Sequence, residues 1–227
     1  MINFHPNQLQ LIDFVEGNSA PAMALMISAH KDMCPKCRGR IELLESSIGE
    51  GIFEVEAERI DFGTMLSDIT KLPAAEQITF DQASRGQPLV ESIELDGRQF
   101  KLPRTLRRFI AKTGNFSHLL GNLWQAPVDL GPIGKANFIY MQKGGRVPEH
   151  THRGTELTLV INGEFSDGMS DYDTGDFILM GGENTHAPYS EASEGCLVFS
   201  IVDAPLHFTS GIARLLNPFS HLFFNTK

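Results

Sequence analysis

His30, Cys34 and Cys37 stand in the segment SAHKDMCPKC with the spacing H-x3-C-x2-C. Positions four and then three residues apart share one face of a helix, so the spacing predicts an imidazole and two thiols converging from one helical surface. These are three of the four ligands a tetrahedral Zn2+ takes, and thiolates suit a structural site. His5, ahead of the first helical stretch, is the best candidate for the fourth ligand. Far downstream, His150, His152 and Glu156 cluster in HTHRGTE, with His186 in the later segment GGENTH. Residues two apart in a strand face the same side, which aims His150 and His152 together. Three imidazoles and one carboxylate can hold Zn2+, Fe2+, Mn2+ or Ni2+, and the spacing does not choose among them. The chain therefore carries two candidate metal sites, far apart in sequence.

The elements that must position these residues differ between the two halves. Leu9, Ile12 and Val15 repeat at helical spacing until Gly17-Asn18. Ser19-Ala20-Pro21 then reads as a helix start, and Ala22 to His30 as a helix. Pro35 breaks or restarts that helix, and Gly49 and Gly51 are expected to interrupt its continuation. Phe62, Met65, Leu66 and Ile69 predict a further short amphipathic helix. Residues 86–102 read as a linker, which divides the chain into a helical domain over 1–85 and a β-rich domain over 103–227, with one short helix over 104–112. From Trp124 onward, short runs rich in β-branched and aromatic residues alternate with Gly, Asn and Asp turns, as in a sandwich or barrel. The aromatic tail over 215–224 is expected to dock on a domain or a partner.

Composition narrows the function. With 41% hydrophobic and 21% charged residues the chain is globular rather than disordered. No apolar run reaches membrane-spanning length and no signal peptide is evident, so a cytoplasmic protein is expected. Three cysteines, two of them beside a histidine, point to metal rather than disulfide chemistry, and Cys196 reads as strand packing. A redox-active C-x2-C needs a preceding strand, which the alanine- and methionine-rich ALMISAH run does not favour. The net charge of −9 argues against direct nucleic-acid binding. Residues 1–90 hold 7 Lys and Arg against 13 Asp and Glu, a net of −6, and so favour a basic partner.

Two resemblances follow from these residues. Gly144, His150, His152, Glu156 and Gly163 match every fixed position of the first cupin motif, G-x5-H-x-H-x3-E-x6-G. Gly175 and His186 match the second motif, in which Gly181, Glu183 and Ser190 stand where Pro, Gly and Asn are usual. Glu149 and Glu183 read as solvated loop charges. H-x3-C-x2-C in an acidic helical domain resembles the zinc-binding anti-sigma signature, and the whole chain is similar to the ChrR family of regulators. That resemblance implies an all-α zinc-binding bundle joined to an all-β cupin, a double-stranded β-helix or jelly-roll barrel. It implies zinc at both sites, an extracytoplasmic-function (ECF) sigma factor as partner, and release on singlet-oxygen or organic-peroxide stress, with a small molecule or oxidant acting at the cupin. The competing expectation is a metal-dependent cupin oxygenase or isomerase with an accessory helical domain. The N-terminal thiolate site favours a regulator over an enzyme. A zinc-stabilised dimerisation module is a third class.

Overall fold

The structure, a computed structural model, describes residues 1–53, 62–71, 90–95, 97–119, 121–204, 206–209, 211 and 214. The aromatic tail over 215–224 and most of the stretch between the two halves lie outside the described residues. The helical half begins with α1 (Gln8–Val15). Asn7 caps it: its side chain accepts from Gln10 N–H, and the Gln10 side chain accepts in return from Asn7 N–H. α2 (Pro21–Met33) starts on a proline, and α3 (Pro35–Phe53) starts on another. Leu11, Ile27 and Ile41, one from each helix, close a small core between them.

Contrary to expectation, Gly49 and Gly51 lie inside α3. A glycine costs a helix only about 1 kcal/mol relative to alanine, and propagation from a formed helix carries through such a position. After residues outside the description comes α4 (Gly63–Lys71). Phe62, Met65, Leu66 and Ile69 fall at the expected spacing, but all four are about half exposed.

The segment read as linker contains structure. β1 (Ser92–Leu95) and β2 (Arg98–Lys101) form an antiparallel hairpin with Gly97 in its turn at φ +71°. Ile93, Leu95, Phe100 and Leu102 are buried, so this stretch belongs to the core of the β half. α5 (Arg104–Arg107) follows, shorter than the expected helix, with Leu106 fully buried.

The β half is a curled antiparallel sheet. Among the described residues its path runs β3 (Ser117–His118), β4 (Leu123–Asp129), β5 (Lys135–Met141), β13 (Cys196–Val202), β8 (Glu156–Ser166), β12 (Tyr189–Ser190) and β6 (Gly145–Arg146). β9 (Asp171–Asp173) and β10 (Phe177–Met180) also pair with β8. A smaller sheet places β7 (His150–His152) between β11 (Thr185–His186) and β14 (Leu206–Phe208). Eleven residues long, β8 continues through Gly163. That glycine has φ +86°, and a Cβ there would collide with the Gly195 carbonyl.

The two halves share a core. Leu25, Met26 and Ala29 of α2 are buried with Leu102, Leu106, Phe109 and the barrel residues Leu159 and Phe199. Asp32, near the end of α2, accepts from Thr105 N–H at 2.6 Å and so fixes the start of α5. The first residues of the chain also lie on the barrel: Phe4 packs on Tyr172 with ring centroids 4.7 Å apart.

Candidate metal centres

The H-x3-C-x2-C triplet does not lie on one face of a single helix. α2 ends at Met33, and Cys34 is extended, at φ −109° and ψ 103°. Pro35 is the cause: the residue before a proline is pushed out of the helical region, while proline itself suits the first turn of the next helix. His30 therefore comes from the last turn of α2, Cys34 from the junction and Cys37 from the first turn of α3. The break turns all three toward one point. Cys37 N–H donates to Cys34 Sγ at 3.4 Å, which fixes that sulfur.

His5 completes the set. Its Nδ1 is 3.4 Å from His30 Nε2 and 3.5 Å from each sulfur, and His30 Nε2 is 3.3 Å from Cys37 Sγ. A zinc tetrahedron with Zn–N near 2.05 Å and Zn–S near 2.3 Å has edges of roughly 3.3 Å between nitrogens and about 3.6 Å between nitrogen and sulfur. The four donors have the spacing of ligands around one ion. His30, Cys34 and Cys37 are buried and His5 is half-buried. His30 Nδ1 lies 2.8 Å from the Gly175 carbonyl, so it carries the proton and Nε2 faces the sulfurs with its lone pair. Burial holds the His30 imidazole down to about 4, and burial followed by the neighbouring Cys34 raises the Cys37 thiol to about 12. His30 is therefore neutral with a lone pair to offer, whereas Cys37 keeps its proton until a metal displaces it.

The second set sits in the barrel. β11 pairs with β7 in a register that places His186 opposite His150. His186 Nε2 is 3.0 Å from His150 Nε2 and 2.9 Å from His152 Nε2, and Glu156 Oε2 is 2.9 Å from His152 Nε2. Nitrogens about 3.0 Å apart have the separation of ligands at right angles around an ion with bonds near 2.1 Å, an arrangement that leaves coordination positions open. Thr158 and Ser200 hydroxyls donate to Glu156 Oε1 at 3.1 and 2.9 Å, which leaves Oε2 turned toward the imidazoles. His150 Nδ1 donates to the Pro148 carbonyl at 2.7 Å. Burial, then His186, lowers His150 to about 4. For Glu156 burial acts upward, but the hydrogen bond to His152 and the surrounding imidazoles hold it at about 2.

The departures from the second motif are absorbed locally. Asn184 closes the turn at Gly181: its side chain accepts from Gly181 N–H, and its own N–H donates to the Gly181 carbonyl. Ser190 is buried and donates to the Glu164 carbonyl. Glu149 and Glu183 are exposed. Cys196 is fully buried on β13, where burial raises its thiol. Beside the ligands lies a cavity of about 70 Å³ walled by Ile139, Met141, Val147, Phe165, Ile178 and Met180 among others.

Residues 134–204, which hold all four barrel ligands, match the ChrR cupin-like domain family. The anti-sigma-E factor ChrR of Cereibacter sphaeroides is 28% identical over 220 residues, 96% of this chain and 98% of that protein. Along nearly its whole length the chain is similar to a ChrR protein, and the family match itself covers residues 134–204. The crystal structure of Rhodobacter sphaeroides SigE in complex with the anti-sigma ChrR has the same fold, with a TM-score of 0.66 at 22% identity over 89% of this chain and 100% of that one. The helical half and the cupin-like half are thus joined in this chain as they are in a ChrR protein. Sequence reasoning named all eight donors that the fold brings into two groups. It missed that Gly175 and Phe177 contact His30 from the barrel and that Asp176 binds the backbone just ahead of His5.

Proposed function

We propose that this protein is a zinc-dependent anti-sigma factor that binds an ECF sigma factor in the cytoplasm and releases it on oxidative stress. The observation that carries the reading is the similarity to the anti-sigma-E factor ChrR along nearly the full length of both chains. Three features support it. His5, His30, Cys34 and Cys37 have the donor types and spacing of a structural zinc site that ties the segment ahead of α1 to the α2–α3 junction. The helical half is acidic, as suits a basic partner surface. The apolar stripe Phe62, Met65, Leu66 and Ile69 stands exposed at helical spacing, as an interaction face does. Among the described residues no helix is long and apolar enough to cross a membrane.

In this reading the N-terminal ion holds His30 and the α2–α3 junction in one geometry and does no chemistry. The barrel ligands would hold a second ion, zinc by family resemblance, which when bound supplies open coordination positions to a small molecule. The apolar cavity walls exclude water around that point, and Glu156 and the three histidines supply the charge and lone pairs that fix it. Singlet oxygen or an organic peroxide is the expected signal, received at the barrel and expressed as loss of grip on the sigma factor. Co-expression of the full chain with each ECF sigma factor of the same genome tests the proposal. A sigma factor retained through size exclusion and released by peroxide treatment is the expected result. Retention of none overturns it.

A further inference from the structure

Three consecutive barrel residues meet the N-terminal donor set and the segment that leads to it: Gly175 and Phe177 contact His30, and Asp176 binds the backbone just before His5. The Gly175 carbonyl accepts from His30 Nδ1 at 2.8 Å. Asp176, fully buried, accepts from Asn3 and Phe4 N–H on Oδ1 at 2.6 and 2.9 Å, and from Asp173 N–H on Oδ2 at 2.8 Å. Phe177 sets its ring edge-on to His30 with centroids 6.0 Å apart, and its N–H donates to the Phe4 carbonyl at 3.1 Å. Gly175 has φ +93°, and a Cβ there would meet the Ile2 side chain at 2.5 Å, so the N-terminal segment passes directly over it. One side of the donor set thus rests on α2 and α3, while the segment ahead of His5 and the outer face of His30 rest on the barrel.

We infer that the corner Gly175-Asp176-Phe177 is the outer shell of the N-terminal metal site, with Asp176 the positioning residue that fixes His5. The inference rests on the reading of His5, His30, Cys34 and Cys37 as a metal site. His5 is the donor most in need of positioning. It comes from an extended segment outside any helix, and Asp176 orders that segment by binding the two N–H groups just before it. A carboxylate accepting backbone N–H groups makes charge-assisted bonds, stronger than neutral ones. Partners of this kind fix ligand orientation, and their loss costs 10- to 100-fold in metal affinity.

The corner also leads to the second site. It opens β10, whose Phe177 pairs with Leu159 and whose Met180 pairs with Glu156, a barrel donor. Ile178 and Met180 wall the cavity beside the barrel donors. A four-residue strand therefore touches the N-terminal site at one end and a barrel ligand at the other.

The test is Co2+ and Zn2+ titration of the full chain, comparing parent, Asp176→Ala, Asp176→Asn and Asn3→Pro. The barrel set has no sulfur, so a thiolate-to-cobalt charge-transfer band reports the N-terminal site alone. The parent is expected to show that band. Asp176→Ala should weaken binding at that site 10- to 100-fold and leave the barrel site loaded, while Asp176→Asn, which keeps one acceptor oxygen, should recover most of the loss. Thiolate-site affinity within twofold of the parent in Asp176→Ala overturns the inference. If Asp176→Ala loses the barrel metal as well, Asn3→Pro decides, because it removes the N–H that Asp176 accepts at 2.6 Å and leaves every barrel residue in place. Binding about tenfold weaker supports the inference, and affinity within twofold of the parent overturns it. A parent without the band overturns the metal-site reading and the inference together, whereas a parent with the band beside unaffected variants overturns the inference alone.

Discussion

Cys34 shows how one neighbour places a ligand. Pro35 denies it a helical conformation, and the resulting break turns three donors inward that a continuous helix would have spread along its side. Replacing either thiol removes a donor that nothing else on the α2–α3 junction supplies. Cys34→Ser or Cys37→Ser is therefore expected to cut bound metal from near two equivalents to near one, as measured by elemental analysis. His152→Ala should remove the other equivalent and spare the thiolate site. The donors were legible because ligand chemistry is confined to few residue types and their spacing survives in the chain. Asp176 was not, because a carboxylate that caps a distant backbone segment carries no local signal.

Burial of the donor histidines also makes a prediction. In the metal-free chain His30 and His150 are held near 4, below the 6.5 of an unfolded histidine. Between those values the unfolded chain binds more protons, so stability rises with pH and is lost as pH falls from about 6.5 toward 4. Each histidine withdraws roughly 2 kcal/mol by pH 5. The urea midpoint of chelator-treated protein should fall clearly between pH 7.5 and pH 5. A midpoint that stays level counts against buried neutral imidazoles.

At the scale of elements, the sequence supported helices in the first half and short strands in the second, because apolar periodicity changes from helical to alternating near the middle of the chain. What it hid were continuities. α3 runs through two glycines because a growing helix tolerates a local loss, and β8 continues through Gly163. The β1–β2 hairpin, with Gly97 in its turn, was hidden because nearby proline and glycine made the stretch resemble a linker. Gly163 is where an element depends most on one residue. Gly163→Ala imposes a strained positive φ on a side chain and drives its Cβ into the Gly195 carbonyl of the adjoining turn. The expected loss is at least about 2 kcal/mol, with a melting temperature lower by several degrees. Gly49→Ala, in open space on α3, should gain up to about 1 kcal/mol and serves as the control.

At the scale of the molecule, the helical half and the β half do not have separate cores. Leu25, Met26 and Ala29 face the barrel, and no sequence pattern separates a helix face that packs on its own bundle from one that packs on the next unit. Cutting between the halves would expose these side chains, at roughly 1.5–3 kcal/mol for each of the two larger ones. It would also remove Asp176 from the Asn3 and Phe4 backbone and the Gly175 carbonyl from His30. A fragment of residues 1–85 is accordingly expected to hold zinc less tightly than the full chain and to unfold at lower denaturant. Added residues 90–227 should restore both properties in trans, because the lost contacts are all noncovalent. Equal zinc affinity and equal unfolding midpoints for fragment and full chain would mean that the shared core carries no energy, and a signal received in the barrel would then need a route to the helices other than α2 and β10.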